Sequence, residues 1–586
     1  MDSTPTFPDD FNLADHLLFD RVREGRGDAV AVRFGDRSWS YARVAKRARQ
    51  VAAALQRAGV RPDERVLIVL PDTPPFVWSI FGTLAAGCVL TMGNPDAPAQ
   101  DLAYLLGYTR ATALITLPRV THALLDTIAE SPHLRAVFWV PDVATGDDPE
   151  AAIDIGAALD FQGRGPVTMA PLAMAMEDAG EPSLVTTKRD DIAVWLFTSG
   201  STGRSKAAIH THRDFAFNTE VYAKRTVGYR ADDVTVSVPR LYFGYATGTN
   251  LFFPFAVGGT TCLFSERPTP ETLLAAIARH RPSIVTNVPT MIGKLLDHDD
   301  GLRALAGDDA KGALDRRGLD LSSVRFSLSA GEALPPALLT RYLERFGPGT
   351  DRGGGEIYDG IGSAEMFHIY ASNRPGDVKP GSLGRVVEGY ELKILPNDAT
   401  GAAATPVPVG EIGVLWVRGD SVALGYHQDR DKSWRTFHGQ WCCTGDLFRI
   451  DDEGYLWFGG RADELLKVSG LWVSPIEVED CLMGHGDVAL AAVIGVEEDG
   501  LQKPKAYVVV REHARGRGHN QLVAELQLHV KTRLSKHKYP RWIAIVDDLP
   551  KNDRGKVDKK ALRALAAISM APPVPAGPSV TKQEGT

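Results

Sequence analysis

The feature that most restricts how this chain can fold is a recurring alternation of short apolar runs with helix-length segments. RVLIVL from Arg65, for example, gives way to FVWSIFGTLAAG from Phe76. An apolar run of strand length must be covered on both faces, and interleaved helices supply that cover, so the pattern predicts an α/β fold. Residues 42–58 repeat Ala, Val and Leu among Arg, Lys and Gln at helical spacing, then meet Gly59 and a strand. The unit recurs where the helix ETLLAAIARH from Glu271 precedes the strand SIVTNV from Ser283. After about Gly381 the texture changes to short strands with Gly, Pro and Asp turns (KILPND, EIGVLWVRGD, GYLWFGG), which predicts a β-rich subdomain. Beyond Arg461 it changes again, through EVEDCLMGH, VALAAVIGV and KAYVVVRE to QLVAELQLHVKTRLSKH and WIAIVDD, the pattern of a compact C-terminal domain. Two stretches, residues 141–187 and DHDDGLRALAGDDAKGALDRRG from Asp297, read as surface excursions. The Pro-rich end, APPVPAGPSVTKQEGT, reads as a disordered tail.

Composition narrows the function. With 586 residues, 44% hydrophobic and 24% charged, the chain can bury a large core and is neither collagenous, disordered nor membrane-embedded. Its net charge of −8 argues against a sequence-independent grip on nucleic acid. Five cysteines without a CxxC pair suggest neither a disulfide framework nor a zinc site. The N-terminus, MDSTPTFPDDFNLADHLL, lacks a basic segment followed by an apolar run. The expectations are a cytoplasmic protein with no nucleic-acid partner and no membrane association.

The sharpest chemical signal is Thr198-Ser199-Gly200-Ser201-Thr202-Gly203-Arg204-Ser205-Lys206, directly after the apolar strand IAVWLF. Glycines permit close backbone approach, hydroxyls and N–H groups donate to phosphate oxygens, and Arg and Lys add positive charge. It is not a Walker A loop, because the Gly-Lys-[ST] ending is missing. A plain flexible Gly/Ser turn has the same composition. Downstream, in order, come Tyr358-Asp359-Gly360-Ile361-Gly362-Ser363-Ala364-Glu365, Thr444-Gly445-Asp446, Gly460-Arg461-Ala462-Asp463-Glu464 and Pro550-Lys551-Asn552-Asp553-Arg554-Gly555-Lys556.

Order and spacing together resemble the adenylate-forming superfamily of acyl-CoA synthetases, carrier-loading adenylation domains and firefly-type luciferases, up to about residue 565. LYFGYATG from Leu241, SAGEALP from Ser329, YDGIGSAEMFHIYASNRPG from Tyr358, LKVSGLWVSPIEVE from Leu466 and HKYPRWIAIVDDLPKNDRGK from His537 are most similar to the benzoate-CoA ligase group. The resemblance implies an α/β fold in which residues 1–462 form a large N-terminal domain of two α/β subdomains plus a β-rich subdomain. Residues 463–570 would form a small mobile α+β C-terminal domain, and residues 571–586 the tail. It also implies a ligase that uses ATP, Mg2+ and coenzyme A to convert an aryl carboxylic acid, benzoate or a substituted benzoate, into aryl-AMP and then aryl-CoA. An adenylating enzyme that loads the acid onto an external acyl carrier protein shares the first step. Such an enzyme would be a monomer or homodimer.

The resemblance also implies roles. Thr198, Ser199, Gly200, Ser201, Thr202, Gly203 and Lys206 would cradle the phosphates, and Gly331, Glu332, Ala333, Tyr358 and Asp359 would form the adenine wall. Asp446 and Arg461 would hold the ribose side, and Glu365 would ligate Mg2+. Lys556 would stabilise the charge that develops as carboxylate meets α-phosphate, although in KNDRGKVDKK it could equally be a solvated lysine. Asp463 would be the hinge about which the C-terminal domain rotates, bringing Lys467, Ser469 and Gly470 to the thiol channel. Gly244, Tyr245, Gly362, His368 and Ile369 would line the acid pocket, with His368 open to the alternative of a core histidine satisfied by backbone.

Three departures from the group stand out. Ala364 replaces a threonine, Ser205-Lys206-Ala207 replaces Pro-Lys-Gly, and Gly244, Ala246 and Thr247 fall where Ala-Tyr-Gly-Leu is usual. They point to slower adenylation, altered phosphate-loop geometry and a reshaped pocket.

Overall fold

A computed structural model describes residues 4–151, 167–177, 182, 184–199, 204–306, 320–332, 334–468, 471–498, 501–551 and 557–570. The expected tail, the phosphate-loop residues Gly200, Ser201, Thr202 and Gly203, and Ala333, Ser469, Gly470 and Lys556 lie outside these. The chain divides into one unit of Met1–Thr444 with Phe448–Phe458, and a second of Gly445–Leu447 with Gly459–Thr586.

The first unit holds three sheets. One has the strand order Thr168–Pro171, Ala136–Trp139, Ala113–Thr116, Arg65–Val69, Val89–Met92, Ile192–Ser199 and Ser205–Thr211. Its pairs are parallel except for the last, which is antiparallel. Val89–Met92, Ala113–Thr116 and Ala136–Trp139 are buried at every position, as expected of apolar runs covered on both faces. The second sheet runs Arg385–Val386, Ile369–Ser372, Glu356–Gly362, Phe326–Ser329, Ile284–Asn287, Val234–Ser237, Thr260–Leu263, Val30–Phe34 and Arg37–Ser40. Its central strands, from Glu356–Gly362 to Val30–Phe34, are parallel. The third sheet, in which Glu391–Leu395 is an edge strand beside Gly413–Arg418 and then Trp441–Ile450, is the β-rich part foreseen after Gly381.

Helix Tyr41–Arg57 starts where the Ser40 side chain accepts the Arg43 amide, and its buried face repeats at Val44, Ala48, Val51 and Leu55. It packs against helix Pro74–Ala85, which is buried along its whole length. The two approach so closely at Gly82 that a Cβ there would lie 2.6 Å from Val51 Cβ and 2.7 Å from the Ala48 carbonyl oxygen.

Two expectations need correction. Thr168–Pro171 is an edge strand and Leu172–Glu177 a helix, so the stretch after residue 141 is not wholly an excursion. The DHDDGLRALA segment completes helix Pro289–Ala306. Its polar composition hid this, because Asp299 is buried where Arg303, Arg345 and Arg352 surround its carboxylate. Paired charges of this kind let a charged residue take a core position.

The second unit has an antiparallel pair, Val488–Glu498 and Leu501–Val510, extended by the parallel strand Trp542–Ile545. Helices Pro475–Met483, His519–Arg533 and Lys559–Met570 and the hairpin Leu466–Val468/Leu471–Val473 complete it. Among the described residues no helix is long and apolar enough to cross a membrane.

The Gly82 contact yields a direct expectation. Gly82→Ala improves helix propensity by about 1 kcal/mol but overfills the helix pair, a net loss of about 1–3 kcal/mol that should show as an earlier urea midpoint.

Candidate active site

The strand Ile192–Ser199 ends at the glycine-rich loop, and the chain returns along Ser205–Thr211 with Thr198 opposite Lys206 and Ser199 opposite Ser205. The two strands thus pair antiparallel on either side of the loop. Two tyrosines of helix Ala99–Thr109 pin its return strand: Tyr104 Oη donates to the Ser205 carbonyl at 3.0 Å, and Tyr108 Oη accepts the Ala207 amide at 3.3 Å and donates to the His427 carbonyl at 2.7 Å. Arg204 lies over the Tyr104 ring, 5.3 Å from its centroid. These tyrosines took no part in the sequence reading; their spacing of four on a helix was the available signal.

Lys206 and Glu365 meet. The ammonium lies 3.8 Å from Glu365 Oε1 and 3.6 Å from the centroid of the Tyr426 ring, while Tyr426 Oη donates to the same carboxylate oxygen at 2.6 Å. Tyr426, another residue the sequence reading passed over, thus orients both charged groups. Ala364 packs with Ala208, Ala423 and Tyr426.

At the expected adenine wall, Gly331 adopts φ +91, which a side chain would resist, and Glu332 accepts a hydrogen bond from Thr290 Oγ1 at 2.7 Å. The neighbouring parallel strands set Ser329 beside Asp359. Tyr358 and Asp359 are buried, and Asp359 Oδ1 has no hydrogen-bond partner among the described residues. Burial pushes this carboxyl up to about 8.

The acid-pocket candidates come from distant segments and converge. His368 Nε2 faces the Tyr245 carbonyl oxygen at 3.0 Å, with ring centroids 5.5 Å apart. A carbonyl only accepts, so Nε2 carries the proton. Burial lowers the imidazole to about 4, leaving it neutral at pH 7, and its Nδ1 has no partner among the described residues; nor has Tyr245 Oη. Phe253, at 4.7 Å between centroids, and Tyr222, at 5.8 Å, complete an aromatic surround that the sequence reading missed. A Cβ on Gly362 would meet the His368 carbonyl oxygen at 2.4 Å, and one on Gly248 the His368 Nε2 at 2.5 Å. One on Gly244 would meet Leu196 Cδ1 at 2.9 Å. Ile369 is buried, and its carbonyl accepts the Asn218 amide at 2.7 Å.

Asp446 and Arg461 belong to the second unit and pair with each other, Nη1 to Oδ1 at 2.8 Å. Asp463 falls in the single turn Ala462–Glu464, and Lys467 in the strand Leu466–Val468, opposite Trp472 of the strand Leu471–Val473.

Residues 19–427 match the AMP-binding enzyme family, and residues 477–556 match the AMP-binding enzyme C-terminal domain. Over 559 residues the chain is 36% identical to a benzoate-CoA ligase of Thauera aromatica, covering 95% of this chain and 96% of that protein. A 4-hydroxybenzoate-CoA/benzoate-CoA ligase of Rhodopseudomonas palustris is 34% identical over 574 residues, 97% of each chain. The crystal structure of the anthranilate CoA ligase AuaEII in complex with anthranoyl-AMP superposes with a TM-score of 0.80 at 32% identity, covering 96% of this chain and 98% of that one. The fold is thus that of an adenylate-forming enzyme. Within that superfamily the chain belongs to the benzoate-CoA ligase group and is an AMP-forming acid-CoA ligase.

The buried carboxyl of Asp359 makes stability depend on pH. Between about pH 4 and pH 8 the unfolded chain ionises it while the folded protein keeps it neutral, so folding loses roughly 1.4 kcal/mol per unit as pH rises. Asp359→Asn removes that slope: its stability relative to the parent should climb from pH 4 to pH 8 and then level off, as measured by urea unfolding across pH.

Proposed function

We propose that the acid is benzoate or a ring-substituted benzoate, adenylated by ATP with release of pyrophosphate and then transferred to coenzyme A with release of AMP. The observation that carries this reading is the convergence at His368. A neutral imidazole, fixed by the Tyr245 carbonyl and ringed by Phe253 and Tyr222, with glycines at 244, 248 and 362 where any Cβ would collide, makes an end suited to a flat ring. A long alkyl chain would need an open tunnel instead. The unpartnered Nδ1 of His368 can only accept, so a hydroxyl or amino substituent that reaches it would be favoured over a bare ring.

At the other end, Lys206 would meet the phosphates and release Glu365, from which it is 3.8 Å distant. Glu365, whose Oε1 accepts from Tyr426 and faces Lys206, would offer its carboxylate to a hard cation such as Mg2+, which when bound would offset phosphate charge. Gly200 to Gly203 would supply backbone donors, Asp446 would turn from Arg461 to the ribose hydroxyls, and Lys556 would stabilise the charge between carboxylate and α-phosphate. Rotation at Asp463 would then exchange Lys556 for Lys467, Ser469 and Gly470, admitting the thiol.

The test is pyrophosphate release with MgATP over benzoate, hydroxy- and aminobenzoates, cinnamates and medium-chain fatty acids, with and without coenzyme A. Release should be confined to small aryl acids, yield aryl-CoA when coenzyme A is added, and fall at least about 100-fold in Lys556→Ala. Release without thioester would point to a carrier protein as acceptor, and activity confined to fatty acids would sink the acid assignment.

A further inference from the structure

Glu365 and His368 stand three residues apart, yet one belongs to the phosphate end of the site and the other to the acid end. The backbone between them is unusual. Residues Ala364–Met366 form a single 3-10 turn, and Phe367 follows at φ 69, ψ −48, a conformation close to the rare γ-turn and strained for any residue with a side chain. Such strain persists only where the surroundings over-determine it.

Here three donors from two stretches of chain, His210 on one and Ser421 with Ala423 on the other, hold the three consecutive carbonyls of the turn. His210 Nε2 lies 2.6 Å from the Ala364 oxygen, the Ala423 amide donates to the Glu365 oxygen at 2.9 Å, and Ser421 Oγ donates to the Met366 oxygen at 2.7 Å. His210 is fully buried, and its other nitrogen lies 2.8 Å from Asp214 Oδ2. Asp214 also accepts from the Thr211 amide at 3.1 Å and from Thr211 Oγ1 at 2.5 Å. Both ring nitrogens of His210 thus face acceptors, with the Asp214 carboxylate behind the ring as a fixed orienter. The Phe367 ring is trapped as well, 4.0 Å from the Phe215 centroid and 4.5 Å from that of His210. Ser421 is itself held by Tyr390 Oη at 2.7 Å, and Tyr390 by Asn218, whose amide also donates to the Ile369 carbonyl beyond the turn.

We infer that His210, oriented by Asp214, and Ser421 are positioning residues: they clamp the strained turn at Ala364–Phe367 and thereby fix the Glu365 carboxylate and the His368 ring relative to each other. The clamp touches neither ATP nor the acid. Loosening it lets Phe367 relax to an ordinary φ, which displaces both flanking side chains together. This inference rests on the assignment of Glu365 to MgATP and His368 to the aryl acid.

The experiment compares the parent with His210→Phe, which keeps a ring against Phe215 and Phe367 but removes both ring nitrogens, and with Ser421→Ala, a smaller change should the first fail to fold. Three quantities are read: MgATP affinity by calorimetry without acid, KM for the preferred aryl acid in pyrophosphate release, and Tm. His210→Phe should weaken MgATP binding and raise the acid KM, each roughly ten-fold or more, and Ser421→Ala should do the same roughly three- to five-fold. A folded variant with a lower Tm but both constants within about two-fold of the parent would assign these residues to stability alone and overturn the clamp. Loss confined to one constant would overturn the coupling. A parent that binds MgATP yet releases pyrophosphate with no aryl acid sinks the assignment of the acid site, and the calorimetric arm still decides whether His210 and Ser421 position Glu365.

Discussion

The antiparallel pairing of Ile192–Ser199 with Ser205–Thr211 is the constraint from which the site follows. Its register turns Lys206, Ala208 and His210 to one face, because strand side chains alternate with period two. All three meet the same short segment: Lys206 the Glu365 carboxylate, Ala208 the Ala364 methyl, and His210 the Ala364 carbonyl. A slip of one residue would present Ala207 and Ile209 instead and dissolve every one of these contacts. The register is secured on both sides of the strand. Tyr104 and Tyr108 bond to its beginning, and its middle pairs with the chain near Tyr426, where the Ile209 amide donates to the Gly425 carbonyl at 3.0 Å.

Burial then sorts the ionisable groups along the site. Asp359 and His368 are removed from water without a compensating charge, and both are driven to their neutral forms. Lys206 and Glu365 keep partial solvent contact, each with 15% of its side chain exposed, and keep each other as counter-charge. The result is a polar, charge-bearing end around Lys206 and Glu365 and an uncharged aromatic end around His368. A carboxylic acid with a flat ring has that same division within one molecule.

How much of this was legible depended on the range of the interaction. The parallel strands, covering helices and β-rich stretch after Gly381 showed in local periodicity, because a strand buried on both faces must be apolar throughout. Helix Pro289–Ala306 was hidden because its polar half is made tolerable by Arg345 and Arg352, tens of residues away. The same holds within the site. Lys206 and Glu365 were found through their motifs, whereas Tyr426 bears on both from outside any motif.

The sequence by itself determined the fold class, the order of the chemical motifs and the family, because hydrophobic periodicity and short glycine-bearing motifs are local properties. Only the tertiary structure decided which groups meet: that His368 takes its proton on Nε2 opposite the Tyr245 carbonyl, that Asp359 is neutral, and that His210, Ala423 and Ser421 hold a strained Phe367. The reason is physical. Tautomer, ionisation and backbone strain are set by partners distant along the chain and by the exclusion of water, and neither is encoded in any local stretch.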